Sequence, residues 1–328
     1  MSLLPLFLAI LLSVHGLRKK SLSPSGAVTA FVIGFLTMAG GLRMFGVALI
    51  GFYLIGSRAT KCQYVYDNRP TNNTEAVVLL DGKEKKTKLE ESYQEGGYRT
   101  GWQVLSNSAA AVAAAFTWNS VFVPGSIHAN MATILGLHTG KMLGLTNPMI
   151  YDGAWCPLDA SISNGWSRAL VLAALGHFAC CLGDTLGSEL GILSDSPPRL
   201  VTTFKRVPPG TNGAMSLGGT LASVVGGAIV GALMGISLTL ENVQCSPKEV
   251  LTTMIVLGMV GGGIGSLIDS VMGATIQRTR YSTAKKMVLQ DGSTFGGDIK
   301  IISGWNLLTN NQVNLLSSVI CAALLLST

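Results

Sequence analysis

Three carboxylates in this sequence lie inside stretches that are otherwise apolar. Asp184 and Glu189 belong to the segment GDTLGSELG, and Asp269 belongs to GSLIDSVMGATIQ. An ionisable side chain within an apolar span is costly, so it usually faces the protein interior and serves a function. Because carboxylates repel one another unless a cation joins them, and oxygen ligands suit a hard ion, we predict that Asp184, Glu189 and Asp269 bind Mg²⁺.

Basic and amide side chains lie near the same ends of the apolar stretches. Arg99, Gln103 and Asn107 are each four residues apart, which predicts one helical face running from the interface into the bundle. Side chains of these types bind phosphate oxygens, although any single cation here is also explained as an anchor at the membrane surface. The predicted phosphate-binding cations are Arg58, Lys61, Arg99 and Lys205, with Lys205 also assigned to catalysis. The predicted orienting amides are Asn107, Asn212, Asn310 and Asn314, and Gln103 is predicted to belong to the same binding site.

The segment VPPGTNG, residues 207–213, predicts a turn before a helix. Backbone amides in such a turn and a helix N-terminus both attract anions, so Gly210, Thr211 and Asn212 are expected to contribute to a phosphate site. There is no Walker A pattern, because GLHTGK at 136–141 has the wrong glycine spacing. The loop signatures of protein kinases are also missing from the sequence.

The composition predicts the elements that must position these residues. Hydrophobic residues make up 48% of the chain of 328 residues, charged residues only 12%, and the mean hydropathy is +0.46. A chain this apolar is typical of a multi-pass membrane protein. Since lipid offers backbone groups no hydrogen-bond partner, we predict an all-α helix bundle, with about eight transmembrane helices in one domain covering residues 1–328. The predicted spans are Leu3–Leu17, Gly26–Leu42, Met44–Gly56, Gln103–Val123, Ala169–Gly187, Ala214–Leu240, Val250–Ala274 and Gln312–Ser327.

The third predicted span is short. It contains 13 residues, so it is expected to need flanking residues or a re-entrant geometry. Glycines recur at every fourth position in two later spans, at Gly183, Gly187 and Gly191 and again at 227, 231 and 235. Such stripes let a neighbouring helix approach closely, which explains them without a ligand.

The basic residues are distributed unevenly between the loops. If the N-terminus faces the lumen or exterior, 19 of the 23 Lys and Arg residues fall in loops on the cytosolic side, as the positive-inside rule requires. We therefore expect the loop 57–102 and the polar site to face the cytosol, and the loop 125–167 to face the lumen or exterior. An oxidising lumen would allow a disulfide between Cys156 and Cys245, although no spacing demands one. The endoplasmic reticulum or another endomembrane is the predicted location.

Six sequence segments follow one another in a characteristic order from about residue 20 to the end of the chain. They are GSRATK, QVLSN, GDTLGSELG, VPPGTNGAMSLGGTLAS, GSLIDSVMGATIQ and LLTNNQVNLLS. In this order they resemble the blocks of the transmembrane protein 19 family, which includes the plant chloroplast phytyl-phosphate kinase. The sequence departs from that pattern in residues 125–167, which match no block, and at Ser108, where the family pattern has glycine. The resemblance implies kinase activity on an isoprenyl monophosphate for the plant branch of the family.

The residues and the resemblance together predict a membrane-embedded kinase. It would transfer a phosphoryl group from a nucleoside triphosphate, CTP or ATP, to a phytyl-like or polyprenyl monophosphate at the cytosolic membrane face. The predicted partners are the lipid bilayer and the isoprenyl phosphate, with Mg²⁺ and the nucleotide as cofactors, no nucleic acid, and an oligomer allowed. Two alternatives remain open at this point: a cation- or proton-coupled transporter, and a noncatalytic lipid-binding membrane protein.

Overall fold

The computed structural model describes residues 3–60, 98–192, 194, 196–289, 293 and 297–328. It confirms the mostly helical membrane architecture. Two small antiparallel sheets, with strand orders β1–β2 and β4–β3–β5, add to the helices that the all-α prediction foresaw. The elements are α1 (Leu4–Arg18), α2 (Pro24–Met38), α3 (Arg43–Thr60), α4 (Gly101–Ser106), α5 (Ala109–Phe122), α6 (Ile127–Ile134), α7 (Thr139–Met142), a 3₁₀ helix (Ile162–Gly165), α8 (Trp166–Gly191), β1 (Arg199–Leu200), β2 (Ala214–Met215), α9 (Leu217–Glu241), α10 (Pro247–Thr275), β3 (Thr279–Ser282), β4 (Met287–Leu289), β5 (Ile299–Ser303) and α11 (Asn310–Leu326).

Among the described residues, three helices are long and apolar enough to cross a membrane: α8 with the 3₁₀ helix before it, α9 and α10. A fourth candidate is the pair α5 and α6, which is bent by 93° at a short break. The apolar helices α1, α2 and α11 are shorter. Length and composition therefore support three or four full spans, where the sequence predicted about eight. The third predicted span is longer than expected, because α3 continues to Thr60 and contains 18 residues.

Helix α8 forms the centre of the bundle and packs against α3, α5, α9, α10 and α11. Every side chain in 170–183 is buried. A Cβ at Gly183 would lie 2.8 Å from Gly262 Cα, so glycine is required there where α8 and α10 cross, and a Cβ at Gly187 would make an ordinary contact with Ser266 Oγ at 3.4 Å. The contact residue moves four positions forward on α8, from Gly183 to Gly187, and four positions forward on α10, from Gly262 to Ser266. The two helices therefore run in the same direction.

One end of the bundle is closed by a disulfide and by aromatic packing. Cys156 and Cys245 form the disulfide that the sequence allowed. Trp118 is completely buried, its ring meets Tyr151 edge to face at 5.2 Å, and its indole Nε1 donates to Ser167 Oγ at 2.9 Å. We call this the disulfide end of the bundle, and we call the opposite end, where α8 and α10 finish, the carboxylate end.

Candidate functional site

Asp184 of α8 and Asp269 of α10 lie beside each other at the carboxylate end. One helical turn earlier, Gly265 packs on Cys180, since a Cβ at this glycine would lie 2.7 Å from Cys180 Cβ. Because the two helices run in the same direction, the next turn brings the two aspartates to the same level. Both carboxylates are half-buried and interact electrostatically. The structure thus brings together two of the three predicted carboxylates.

Helix α11 supplies donors to one of these carboxylates. Ser317 Oγ donates to Asp269 Oδ2 at 2.9 Å. With its amide oriented to satisfy both neighbours, Asn314 donates to the same carboxylate oxygen at 3.3 Å and to the Asn310 carbonyl at 3.0 Å. Of the predicted amides, Asn314 therefore bonds directly to the carboxylate, and Asn310 contacts Asn314 through its backbone carbonyl.

Glu189 stands apart from the aspartate pair. Glu189 comes five positions after Asp184, so the two side chains point about 140° apart around the axis of α8. It interacts electrostatically with Arg99 instead. Within the part of the chain that the structure describes, no three His, Cys, Asp or Glu side chains form a candidate metal site. The predicted trio is therefore divided into a pair, Asp184 with Asp269, and a separate glutamate next to a guanidinium.

Arg99 lies just before α4, and its guanidinium reaches the last turn of α3. Its Nη1 donates to Ser57 Oγ at 3.0 Å and its Nη2 to Thr60 Oγ1 at 3.3 Å. Burial lowers the pKa of this guanidinium, and the negative charge of Glu189 opposes that shift. A half-buried cation that is hydrogen-bonded to hydroxyl groups is well suited to bind an anion, because a charge-assisted bond compensates for lost hydration.

A cavity lies beside Arg99, enclosed by α1, α2, α3 and α4, and we call it the α1–α4 cavity. Arg99, Gln103 and Asn107 line one part of it, and apolar side chains such as Ile33 and Leu49 line the rest. Its volume is about 80 Å³. The predicted single helical face is wrong in detail, because Arg99 precedes the cap of α4 and Asn107 follows its last residue. The three side chains nevertheless line the same cavity.

Arg99, which lines the cavity, and the carboxylate pair lie near the same turn of α8. Gly56 of α3 separates them: a Cβ at this position would lie 3.7 Å from Thr185 Cγ2 and 3.8 Å from Arg99 Nη2. Thr185 directly follows Asp184 in the sequence. The guanidinium at the polar part of the cavity is therefore next to the turn of α8 that carries the first aspartate.

The VPPGTNG turn is placed differently from the prediction. Thr211 is buried and its Oγ1 donates to the Pro208 carbonyl, while the backbone N–H of Asn212 donates to Thr279 Oγ1 at 3.1 Å. Strand β2 separates the turn from α9, whose cap is Ser216. Gly210, Thr211 and Asn212 therefore connect the sheet strands, and the expected arrangement of free amides directly ahead of a helix is not formed.

The remaining predicted residues are less closely associated with the carboxylates. Arg58 and Lys205 are exposed, the first in the last turn of α3 and the second in the turn after β1. Lys61 lies outside the described residues. Gln103 Oε1 accepts a hydrogen bond from the Thr100 amide at 2.9 Å and so completes a capping box at the start of α4.

The sequence prediction missed three hydroxyl side chains that contact the site. Ser317 follows Asn314 by three residues, so both lie on one face of α11, and this spacing could have identified it. Ser57 and Thr60 are also three residues apart, at the end of α3 within the GSRATK segment. Their role depends on a contact with Arg99 that only the folded chain brings about.

Comparisons with known proteins identify relatives along nearly the whole chain. A family profile described as "Integral membrane protein DUF92" matches residues 7–322. Protein PGR of Arabidopsis thaliana is 33% identical over 317 residues, which cover 96% of this chain and 91% of that protein. Protein VTE6, chloroplastic, of the same plant is 27% identical over 260 residues, 78% of this chain and 56% of that protein. Uncharacterized membrane protein MJ0933 of Methanocaldococcus jannaschii is 39% identical over 114 residues, 35% of this chain and 43% of that protein. No solved structure matches the chain.

Proposed function

The chain belongs to the DUF92 family of integral membrane proteins, and on that premise we propose that it is a membrane-embedded kinase for an isoprenyl monophosphate, with a nucleoside triphosphate as the phosphoryl donor. The observation that carries the proposal is the pair Asp184 and Asp269, which meet at one end of an apolar bundle with Arg99 on the adjacent side of α8. Protein VTE6 and the sequence blocks shared with the phytyl-phosphate kinase family support the reaction class.

The aspartate pair fits Mg²⁺ that is bound together with a nucleotide. Proteins commonly hold this ion with one or two carboxylates, while water and substrate phosphates complete the octahedron. Asp184 and Asp269 would be the two carboxylate ligands, and Ser317 and Asn314 orient the second of them. When bound, the ion would neutralise charge on the transferring phosphoryl group. Glu189 is assigned to the charge balance around Arg99 rather than to the ion.

The proposed transfer depends mainly on positioning. An oxygen of the acceptor monophosphate attacks the γ-phosphorus of the donor, and a new P–O bond forms while the bond to the β,γ-bridging oxygen breaks. The nucleoside diphosphate leaves with that electron pair. Because the acceptor phosphate is already an anion, no general base is required, and Arg99 would hold it in line for attack. This agrees with a site composed of carboxylates, amides and one guanidinium.

The positions of the two ends support an orientation with the carboxylate end in the cytosol. Asp184 lies about 27 Å along α8 from Trp166, so the disulfide and the carboxylates are on opposite sides of a bilayer core. Disulfides persist in oxidising compartments, whereas nucleoside triphosphates are supplied by the cytosol. The basic loops predicted to face the cytosol agree with this arrangement, in the endoplasmic reticulum or another endomembrane.

The test is a transfer assay with purified protein in nanodiscs. The protein is incubated with Mg²⁺, labelled CTP or ATP and a panel of prenyl alcohols and monophosphates, and the lipid product is identified by mass. We expect a prenyl diphosphate that forms only with Mg²⁺. Asp184→Asn and Asp269→Asn should each lower the rate by about 10²–10³-fold without lowering the thermal unfolding midpoint.

The matched control is Glu249→Gln, which removes an exposed carboxylate from the same helix as Asp269 but at the disulfide end. This variant should transfer phosphate at the wild-type rate. Absence of any phosphorylated lipid with both nucleotides, or full activity of Asp184→Asn, would refute the kinase. Uptake of protons or cations into vesicles that depends on Asp184 would instead support the transporter alternative.

A further inference from the structure

We propose that the α1–α4 cavity is the binding site for the acceptor lipid, with the first isoprene units inside the cavity and the monophosphate on Arg99. The inference rests on the proposed function and deepens it, because it assigns the two substrates to different sides of α8. The lipid phosphate would approach from the cavity side and the nucleotide would bind at the aspartate pair.

The lining of the cavity matches an amphiphile with an anionic head. Its polar part includes Arg99, Gln103 and Asn107 together with Ser13 and Tyr53, and its larger apolar part is mainly aliphatic, as at Leu12 and Ile33. A small polar metabolite would leave the aliphatic walls without a partner. A prenyl phosphate satisfies both parts, since its chain buries apolar surface and its head receives donors.

The position of α1 gives the cavity a route from the bilayer. Among the described elements, α1 makes its principal contacts with α2 alone, so it forms an outer wall of the bundle. Ala9, Leu12 and Ser13 of this helix line the cavity. A volume of about 80 Å³ is too small for a whole polyprenyl chain. The remainder of the chain would therefore pass between α1 and the bundle into the surrounding lipid.

The polar part of the cavity directs the head group toward the reaction site. Ser57 and Thr60 hold the Arg99 guanidinium close to α8, since a Cβ at Gly56 would lie 3.8 Å from Arg99 Nη2 and 3.7 Å from Thr185 Cγ2. A guanidinium can bind two phosphate oxygens in a fixed geometry. A monophosphate on Arg99 would take over the charge-balancing role of Glu189 and lie next to the turn that carries Asp184.

The experiment measures binding without requiring transfer. Full-length protein in phosphatidylcholine nanodiscs is irradiated with a farnesyl monophosphate that carries a diazirine on its first isoprene unit, and the labelled peptides are identified by mass spectrometry. We expect labels on α1, α2 and α3. Arg99→Gln and Gly34→Leu should each lower labelling by about tenfold or more, the first by removing the phosphate partner and the second by filling the cavity.

Gly34 is suited to this test because a Cβ there has only ordinary contacts, 3.6 Å from Met38 Cε and 3.9 Å from Ala9 Cβ. Ala30→Leu, at another lining position, repeats the test if Gly34→Leu does not fold. The matched control is Val32→Leu, which enlarges a side chain on the exposed face of the same helix and should label as the wild type does.

The outcomes separate this site from the kinase proposal. Asp184→Asn should keep wild-type labelling, because the lipid site does not need the metal pair. Loss of labelling in Gly34→Leu together with failure of every transfer assay would support the lipid site and refute the kinase. Wild-type labelling in Gly34→Leu and in Ala30→Leu, labels confined to other helices, or no labelling of the wild type would overturn the lipid site even where transfer is observed.

Discussion

The disulfide end and the carboxylate end of the bundle are stabilised by different interactions. At the disulfide end, a covalent bond joins two loops and the indole of Trp118 is enclosed by aromatic rings. At the carboxylate end, Asp184, Asp269 and Arg99 are only partly buried, and Arg99 lines a cavity. Charged groups in such a place cost stability and are retained where they serve function. One end therefore holds the fold together, and the other carries the candidate reactive groups.

Trp118→Ala is expected to have the largest effect on stability and so tests whether the disulfide end dominates the fold. Removing a fully buried indole should lower the free energy of unfolding by about 3–5 kcal/mol. The measurement is thermal unfolding in detergent, with Trp118→Phe as a milder variant that keeps a ring but loses the bond to Ser167. Phosphate transfer per folded molecule should not change. An unaltered unfolding midpoint would contradict the assignment.

Replacing both Cys156 and Cys245 with serine should have the next largest effect. A bridge that closes a long loop typically contributes about 2–4 kcal/mol, so the double variant should unfold at a lower temperature than the wild type. Reducing the disulfide of the wild type should lower the unfolding temperature by the same amount. Electrophoresis under non-reducing conditions checks that the disulfide has been broken. If reduction and substitution left the midpoint where it was, the disulfide end would not have the stabilising role described.

Ser317→Ala should have the smallest effect on stability, and it tests the carboxylate end of the bundle. Losing one hydrogen bond to Asp269 should lower the free energy of unfolding by about 1 kcal/mol. Because the bond orients a proposed metal ligand, the apparent affinity for Mg²⁺ in the transfer assay should fall by about tenfold. Ser318→Ala is the control, since that hydroxyl donates to the Asn314 and Leu315 carbonyls and contacts Cys181, but among the described contacts it bonds to no carboxylate. Equal effects of the two substitutions would argue against a functional role for Ser317.

The helices were largely predictable because their apolar runs are long and their ends are polar. The span predicted at Val250–Ala274 is observed as Pro247–Thr275, a difference of a few residues. The break after α4 was not predictable from composition, since apolar residues continue on both sides of Asn107 and Ser108. The two sheets were missed because their strands are short and lie in polar segments.

The candidate site was predictable in part. The presence of carboxylates in apolar spans singled out Asp184 and Asp269, and the structure brings these two together. The grouping of Glu189 with them ignored the angle between residues five positions apart on a helix. The α1–α4 cavity was not predictable, because its walls come from four helices whose packing no single segment of the sequence specifies.

The disulfide also constrains the two helices that carry the aspartate pair. Cys156 lies in the loop before α8, and Cys245 lies just before α10, so the bond ties together the starting points of the two helices that carry Asp184 and Asp269. A sliding movement of either helix past the other would be resisted at the opposite membrane surface. In the proposed orientation, forming this bond in an oxidising compartment would fix the spacing of the two aspartates at the other end of the bundle, and a newly inserted chain would reach that alignment only after the bond has formed.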